Sequence, residues 1–496
     1  MNHHVKIATT AVVGAALPVN LLIDFGYSLF SIEVLIVALC LGIAGGVIGA
    51  LTANSFIYSY FLALLIYFFV EIYYFSWTTL QITLSMLTLL SVTLLLRLTD
   101  TKLLPYLIVF AVFFSLSALF KSQPAVLTTS GLHRGNSDSP DQSLLHIILD
   151  EMASPYDSEF PPSPGHPAAT LLDDLASSDF RVEAQAYSVS VQSVQSLSAL
   201  VALDSNRLEF EAFHPGAVIA NRVADNVYLR ALVDSKFDVS VLQSSYLDYC
   251  TGLQGIVCQT YSRTGHVSAF SSSDLSERLK FVFMLLNEAL TSNTRTGILL
   301  YSMLVSLIDT SDPLLDFYVP LIAHNLMQEK VLNQAAAIEP GEAHFIHLLL
   351  PHFPFVYGPD CQRLPISEWG YPVRHSLNTP VSESYARYWD QVACVKSLLA
   401  DVIRVTADKE YLTTIVHGDH GARILWLTGE ESRDDNLKTF LAVRSAQNVP
   451  GVVTEPVSLQ DSVAGLLEPL IRSVESPISE TMPIRAGASM PVPGNP

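Results

Sequence analysis

Acidic and histidine residues follow three apolar segments of the chain, each at the point where the segment ends. They are Asp150 and Glu151 after LLHIIL, His352 after HFIHLLLP, and His417, Asp419 and His420 in IVHGDHG. In an open parallel sheet, ligands bind at the carboxyl ends of the strands, so we expect the three groups to converge on one sheet edge. Carboxylates combined with imidazoles suit zinc or manganese better than calcium.

The segment around Asp419 and His420 is the most specific of the three. Gly418 and Gly421 flank it, and glycine allows a sharp turn and a close approach of the backbone. An acidic pair after a strand can also be a helix cap or a solvated turn, and His352 alone can be a loop residue. Taken together, the three groups favour a metal site.

A serine-rich segment, AYSVSVQSVQSLSALVAL, offers a nucleophile for that site. Ser193 is predicted to lie at the N-terminus of an apolar helix, where free N–H groups and the helix dipole stabilise negative charge. A nearby divalent ion would lower the pKa of its hydroxyl. Ser193 can equally be a helix N-cap, and composition alone leaves four rivals, Ser188, Ser190, Ser196 and Ser198.

The C-terminal three quarters of the chain alternate short β-rich runs with helical segments. This pattern predicts an α/β exported domain with a mainly parallel central sheet, over residues 144–475. Residues 274–330 are predicted to be a helical insertion in it. Residues 121–143, rich in Ser, Pro and Gly, are predicted to be a linker, and residues 476–496 a disordered tail.

The first 120 residues are much more apolar than the rest. Hydrophobic residues make up 50% of the 496 residues and charged residues 15%, and the mean hydropathy is +0.36, which is too apolar for an ordinary soluble protein. We therefore predict a multi-pass α-helical membrane domain of five helices over residues 1–120. The predicted spans are Ile7–Ile23, Val34–Leu51, Phe56–Val70, Trp77–Leu96 and Leu103–Leu119.

The charges predict which side of the membrane the larger domain occupies. With the N-terminus inside, Lys6, Arg97 and Lys102 fall on the cytoplasmic side, as the positive-inside rule requires. We therefore predict a protein of the cytoplasmic (inner) membrane whose catalytic domain is periplasmic or extracellular. Residues up to Lys102 carry four acidic and three basic side chains, which leaves −19 of the formal net charge of −20 to the remainder. Such an acidic domain repels nucleic acid, so no nucleic-acid partner is expected.

Four of the five cysteines, Cys250, Cys258, Cys361 and Cys394, fall in the predicted exported domain. An oxidising compartment would let them pair, and three pairings are possible. The short Cys250–Cys258 loop is favoured, which leaves Cys361 to pair with Cys394. Free or metal-binding thiols are the alternative, although the spacing matches no zinc ribbon.

These motifs resemble the sulfatase-type branch of the alkaline phosphatase superfamily over most of residues 144–421. IILDE resembles the family's first metal motif, with Asp150 as the ligand, and VHGDHG resembles its Ser-Asp-His-Gly motif, with Asp419 and His420 as ligands. HLLLPHFPFVYGPDC resembles the strand and loop that place a histidine, here His352, over the substrate. The resemblance implies an alkaline phosphatase-like fold.

The resemblance also favours Ser193 as the nucleophile. The family's nucleophile lies three residues before a serine that opens a helix, and Ser193-Val194-Gln195-Ser196 has this spacing. Sulfatases carry Pro and Arg at the positions of Gln195 and Leu197, so the departure argues against formylglycine at residue 193. The five-span anchor resembles those of lipoteichoic acid synthases and phosphoethanolamine transferases.

The resemblance implies one divalent metal rather than two. Two-metal members carry an extra Asp in the helix before the last motif and an extra His after it, whereas here Lys396 occupies about that helix position and no histidine follows His420. The implied ligands are Asp150, Ser193, Asp419 and His420.

The function implied is transfer or hydrolysis of a phosphoryl or phosphodiester headgroup by Ser193. The substrate would be a membrane phospholipid or another phosphate or sulfate ester. His352 would act on the transferred group or the leaving oxygen, with Glu151, His347 and His417 as possible helpers. The alternatives are a sulfate-ester hydrolase and a degenerate relative that only binds.

Overall fold

A mixed β-sheet forms the centre of the part of the chain that follows the apolar region. The computed structural model describes residues 3–51, 126–129, 140–212, 221–261, 270, 272–292, 319–369, 380–428 and 432–472. In these residues the large sheet has ten strands in the order β1-β8-β6-β9-β2-β10-β11-β3-β12, with β13 also paired to β3. A second sheet, β4-β5-β7, has three strands. The strands are β1 (Val126–Thr129), β2 (Ser143–Leu149), β3 (Arg181–Tyr187), β4 (Phe210–Ala212), β5 (Asn221–Val223), β6 (Asp238–Ser244), β7 (Leu247–Asp248), β8 (Ile256–Tyr261), β9 (Glu342–Leu348), β10 (Leu412–Gly418), β11 (Lys438–Arg444), β12 (Gly451–Val453) and β13 (Val457–Ser458).

Five neighbouring strands, β8, β6, β9, β2 and β10, are parallel to one another. Their middle members are buried on both faces, which explains near-continuous apolar runs such as LLHIIL. Two of the described strands run antiparallel to these five, β1 beside β8 and β11 beside β10, and β3, which is antiparallel to β11, again runs in the direction of the five. The prediction of a mainly parallel central sheet is confirmed.

Helices cover both faces of the sheet, as the alternation of side chains along β2 requires. Leu145, Ile147 and Leu149 point into one apolar core, and Leu144 and Ile148 point into the other. The α-helices are α1 (His3–Asp24), α2 (Ile32–Leu51), α3 (Leu171–Ser177), α4 (Ser193–Ala202), α5 (Val227–Asp234), α6 (Leu275–Ser292), α7 (Val319–Asn325), α8 (Leu332–Ala337), α9 (Val381–Val405), α10 (Ile424–Thr428), α11 (Arg433–Leu437) and α12 (Leu459–Arg472). Short 3₁₀ segments lie at Pro167–Thr170 and Ile366–Glu368, and a π-helical segment at Leu326–Val331.

The two N-terminal helices pack as a hairpin whose turn contacts the larger domain. Leu22 and Phe25 at the end of α1 are buried in the same core as Phe281 of α6. Glu33 in the first turn of α2 is nearly buried and pairs with Arg278 of α6, with 2.8 Å between Oε1 and Nε. The turn of the hairpin therefore lies on the side of the larger domain.

The prediction of five membrane helices finds limited support. Among the described residues only Ile32–Leu51 is long and apolar enough to cross a membrane, so they do not support a multi-pass domain. The predicted span Ile7–Ile23 lies within α1, whose apolar part is shorter than a full crossing. The spans predicted over 56–70, 77–96 and 103–119 lie outside the described residues, as do the tail over 476–496 and residues 293–318 of the predicted insertion.

Candidate metal centre

The acidic and histidine groups lie together because their strands are neighbours. The parallel register of β9, β2 and β10 brings the carboxyl ends of all three to one edge of the sheet. Backbone hydrogen bonds continue past the strand ends, from Asp150 N to Leu348 O at 3.0 Å and from Asp419 N to Leu149 O at 3.4 Å. The two aspartates are therefore held side by side by the sheet itself.

Asp150, Asp419 and His420 form a buried cluster with one possible ligand atom each, all within 4.8 Å of one another. His420 Nε2 lies 3.2 Å from Asp419 Oδ2 and 3.8 Å from Asp150 Oδ1. The Nδ1–H of His420 donates to the carbonyl oxygen of Gly421 at 2.8 Å, so the lone pair of Nε2 faces the carboxylates. This is the tautomer that a metal ligand needs.

Ser193 also lies against this cluster. It is the first residue of α4, nearly buried, and its hydroxyl lies 3.3 Å from Asp150 Oδ1 and 3.1 Å from His420 Nε2. The predicted nucleophile and the three predicted ligands thus meet at one point. Their donors are two carboxylates, one imidazole and one hydroxyl, a set that suits zinc or manganese.

None of the four rival serines places its hydroxyl against the side chains of both Asp150 and His420. The Ser196 hydroxyl donates to the carbonyl oxygen of Asp419 at 2.6 Å and accepts from Ser188 at 2.8 Å, so it braces the ligand loop. Ser190 donates to the side chain of Gln195 at 2.7 Å. Ser198 is buried one turn further along α4, and its hydroxyl has no hydrogen-bond partner within the described chain. Ser193 is the one of these five whose hydroxyl contacts both Asp150 and His420.

The electrostatics of the cluster favour a cation. Burial, and then the nearby Asp419 and Glu151, hold the pKa of Asp150 well above its usual value. Burial also opposes ionisation of Asp419, but His420 and His347 hold its pKa below the usual value. Asp419 Oδ2 accepts no hydrogen bond from any described residue, although it is buried. An orphaned carboxylate oxygen beside a carboxyl that resists ionisation is the arrangement that a divalent ion stabilises.

One ring nitrogen of His347 faces Asp150, whereas both ring nitrogens of His417 bind other groups. The His347 ring is buried, its Nδ1 hydrogen-bonds with the Tyr249 hydroxyl at 3.0 Å, and its Nε2 lies 3.9 Å from Asp150 Oδ2. Burial lowers the pKa of His347 to about 4, so it is neutral at pH 7. The His417 ring has both nitrogens engaged, by His146 at 2.8 Å and by the Gly418 carbonyl oxygen at 2.7 Å.

Glu151 and His352 lie beside the cluster and share a partner that the sequence did not single out. That partner is Arg423, whose Nε donates to Glu151 Oε1 at 2.5 Å and whose Nη2 lies 3.4 Å from His352 Nε2. The His352 Nδ1–H donates to the carbonyl oxygen of Phe353 at 2.6 Å. Gln391 of α9 holds the same loop, because its amide donates to the carbonyls of Pro351 and His352. Arg423 stands three residues after His420, and its position in the loop after the metal motif was the available signal.

Lys396 points away from the site. Its amino group binds the carbonyl oxygen of Pro167 at 2.8 Å and pairs with Asp174. The cysteines form the two disulfides that the sequence favoured, Cys250–Cys258 and Cys361–Cys394.

The glycines beside the ligands are required by close packing. A Cβ atom on Gly421 would lie 2.1 Å from the carbonyl oxygen of Asp435, and one on Gly418 would lie 2.3 Å from that of Met152. The backbone on either side of Asp419 and His420 therefore has no room for any side chain.

We expect Gly421→Ala to lower the free energy of unfolding by about 1–3 kcal/mol, since the backbone must move to admit the methyl group. Gly465→Ala is the matched control, because Gly465 is an exposed residue of α12 whose Cβ would meet no atom within 4 Å. It should be neutral or stabilise by up to about 1 kcal/mol. Denaturant titration of the full chain in detergent measures both, and equal effects of the two substitutions would contradict the packing argument.

Comparison with known proteins finds similarity in structure only. No protein-family model matches the chain, and no curated protein matches it in sequence. Solved structures that match include the phosphonate monoester hydrolase of Agrobacterium radiobacter, with a TM-score of 0.40 and 13% identity over 66% of this chain and 73% of the hydrolase. A 2-O GAG sulfatase matches with a TM-score of 0.41 and 12% identity over 68% of this chain and 72% of the sulfatase. The C-terminal periplasmic domain of EcEptC from Escherichia coli, solved in complex with Zn, matches with a TM-score of 0.37 and 11% identity over 70% of this chain and 85% of that domain.

These matches include a sulfatase and a phosphonate monoester hydrolase, and they are similarities of structure alone. Similarity at such TM-scores carries no argument about activity. The function of this chain is inferred from the geometry of its own site.

Proposed function

We propose that the chain is a metal-dependent enzyme that transfers or hydrolyses a phosphoryl or phosphodiester headgroup through Ser193. The observation that carries the proposal is the position of the Ser193 hydroxyl, 3.3 Å from Asp150 Oδ1 and 3.1 Å from His420 Nε2. A buried hydroxyl beside two carboxylates and an imidazole is unusual in a purely structural role, and it is the arrangement of an activated nucleophile.

Asp150, Asp419, His420 and Ser193 would hold one divalent ion, with zinc or manganese favoured over calcium by the donor set. When bound, the ion would lower the pKa of the Ser193 hydroxyl and offset negative charge on the ester. The hydroxyl donates to Asp150 Oδ1, so a proton acceptor stands beside the nucleophile. Ser193 is the first residue of α4, so the positive end of the helix dipole would stabilise the anion that forms at its hydroxyl.

In the proposed reaction the Ser193 oxygen forms a bond to phosphorus while the bond from phosphorus to the leaving oxygen breaks. The leaving oxygen takes up a proton. The resulting phosphoserine ester is then attacked by an acceptor hydroxyl or by water, which restores the free serine. His352 lies at the edge of the site and is 13% exposed, and its Nε2 would contact the transferred group in exchange for its present contact with Arg423 Nη2.

A membrane anchor suits a lipid substrate, because it confines the site near the bilayer. Large aliphatic side chains at every fourth position of α2 are more than half exposed, as expected of a surface that faces lipid. They are Leu35, Leu39, Ile43, Val47 and Leu51. We infer that α2 anchors an exported domain whose substrate is a phospholipid or another phosphate or sulfate ester. The further spans predicted beyond Leu51 remain a prediction from sequence.

The proposal is tested by assaying the purified full chain, loaded with Zn²⁺ or Mn²⁺, on bis(p-nitrophenyl) phosphate and p-nitrophenyl sulfate. We expect turnover of the phosphodiester, and a p-nitrophenyl-phosphoryl adduct on the peptide that contains Ser193 after rapid quenching, because one of the two aryl esters leaves and the other stays on phosphorus. Turnover of the sulfate ester with formylglycine at residue 193 would instead establish a sulfatase. Absence of turnover on both esters by the metal-loaded protein would contradict an enzymatic role.

A further inference from the structure

Arg423 lies beside the candidate metal centre, but it is not one of the proposed metal ligands. Its guanidinium group touches three separate loops: Nε donates to Glu151 Oε1 at 2.5 Å, Nη1 to the carbonyl oxygen of Val191 at 3.2 Å, and Nη2 lies 3.4 Å from His352 Nε2. Val191 stands two residues before Ser193, and Glu151 directly follows Asp150. One cation thus joins the loops that carry the nucleophile, the first ligand and the histidine at the edge of the site.

The backbone at both residues of this pair is left-handed. Glu151 has φ of +64° and Arg423 has φ of +46°, in the left-handed region that non-glycine residues avoid. Glu151 is fixed by three further contacts, its carboxylate with Phe353 N, its amide with Asp419 Oδ1, and its carbonyl with the Tyr388 hydroxyl. The carboxylate of Glu151 is therefore immobile, and it fixes the orientation of the guanidinium.

The Arg423 side chain is also a cation that faces the ligand cluster, because its positive charge acts on both Asp150 and His420. The side chain retains 13% exposure, whereas that of Glu151 is fully buried. A guanidinium group has five N–H groups, so Nη1 and Nη2 each keep one N–H that the contacts with Val191 and His352 do not use.

We propose that Arg423, held by Glu151, binds the non-bridging oxygens of the ester at Ser193, and that the pair makes the site prefer esters with a single negative charge. This inference rests on the proposed function. A guanidinium fork matches the geometry of tetrahedral oxyanions and binds them through two parallel N–H groups. Leu197 stands at the position where the resemblance to sulfatases would place an arginine, and Arg423 supplies a cation from another loop.

The net charge of the site supports the preference for singly charged esters. The carboxylates of Asp150, Glu151 and Asp419 contribute three negative charges, and Arg423 with one divalent ion contributes three positive charges, so the loaded site is neutral. A phosphodiester or a sulfate ester then leaves one uncompensated charge in buried surroundings, and a phosphate monoester dianion leaves two, which is the costlier state. Glu151 is the residue whose charge produces this preference.

The test measures binding of inorganic phosphate to the Zn²⁺-loaded full chain by calorimetry at pH 8, where phosphate is mostly a dianion. Arg423→Met should weaken phosphate binding at least about tenfold, the usual effect of losing a charge-assisted hydrogen-bond pair. Glu151→Gln should strengthen it, and should raise kcat/KM for p-nitrophenyl phosphate relative to bis(p-nitrophenyl) phosphate by about tenfold or more. Metal content is measured for each variant.

Two control variants separate loss of phosphate binding from loss of folding stability. The double variant Glu151→Gln/Arg423→Gln leaves no unpaired buried charge, so it should keep the wild-type melting temperature and still lose phosphate binding. Arg404→Gln removes an exposed arginine of α9 and should change neither property. Retention of wild-type phosphate affinity by Arg423→Met and by the double variant, or an unchanged substrate ratio in Glu151→Gln, would overturn the proposal. If the wild type hydrolyses neither ester, the proposed function fails, while the phosphate titrations still decide the role of Arg423.

Discussion

Replacing Ser193 by alanine is expected to lower kcat for phosphodiester cleavage by about three orders of magnitude or more, because the covalent step loses its nucleophile. Metal content should fall little, since Asp150, Asp419 and His420 remain as ligands within 4.8 Å of one another. The measurement is single-turnover kinetics on bis(p-nitrophenyl) phosphate together with metal analysis of the same samples. The two readouts separate loss of the nucleophile from loss of the metal.

Ser198→Ala is the matched control for that prediction. Ser198 lies on the same helix and is as deeply buried as Ser193, but its hydroxyl contacts none of the ligands. Activity near that of the wild type is expected for Ser198→Ala. If Ser193→Ala kept more than a tenth of the wild-type rate, the nucleophile would have to be sought elsewhere.

Replacing Asp419 by asparagine is expected to weaken Zn²⁺ binding by at least about 100-fold. Loss of an outer-shell partner alone can cost 10–100-fold, and Asp419 is proposed to bind the ion directly. The amide is nearly isosteric with the carboxylate and can still accept the hydrogen bond from Glu151 N, which is 3.0 Å from Asp419 Oδ1. Equilibrium dialysis against a zinc buffer measures the affinity.

Asp419→Asn is also expected to change thermal stability, and without metal the change should be neutral or stabilising. Without metal, Asp419→Asn removes the repulsion between two buried carboxylates, so the metal-free variant should melt at or above the melting temperature of the metal-free wild type. Added Zn²⁺ should raise the melting temperature of the wild type and leave that of the variant almost unchanged. Asp401→Asn, at an exposed position of α9, is the control. A metal-free variant that melts far below the wild type would show that Asp419 has a structural role instead.

The convergence of Asp150, Asp419 and His420 could be predicted from the sequence because it follows from the sheet. An apolar run followed at once by ligand-type residues marks the carboxyl end of a buried parallel strand, and β9, β2 and β10 are neighbours in the sheet. The local sequence pattern at each strand end was therefore enough to predict which residues lie at this edge of the sheet.

Contacts between distant loops could not be predicted in this way. Arg423 meets Glu151 across 272 positions of sequence, and neither residue lies in a pattern that identifies the other. The opposite roles of His347 and His417 likewise depend on their surroundings, because both are buried strand histidines. Tyr249 leaves one nitrogen of His347 facing Asp150, whereas His146 and the Gly418 carbonyl occupy both nitrogens of His417.

The strands of the sheet beyond β10 were also missed. Strand β3 has alternating exposed and buried residues in RVEAQAY, and β11 is a buried KTFLAVR, but no ligand-type cluster follows either strand. β11 pairs with β10 and β3 pairs with β11, and the chain after β3 leads to Ser193 at the start of α4. The five-helix membrane domain was predicted from apolar composition, and of its spans only the one matching α2 is both long and apolar enough within the described residues.

The central claim, that one cation is bound by Asp150, Asp419, His420 and Ser193, is tested most directly by anomalous X-ray scattering. Crystals of the protein soaked with Zn²⁺ would be measured at the zinc absorption edge. We expect one strong peak, about 2.0–2.3 Å from an oxygen of each aspartate and from His420 Nε2, with the Ser193 oxygen completing the coordination. A map without a peak there, or with its peak between Glu151 and His352 instead, would contradict the claim.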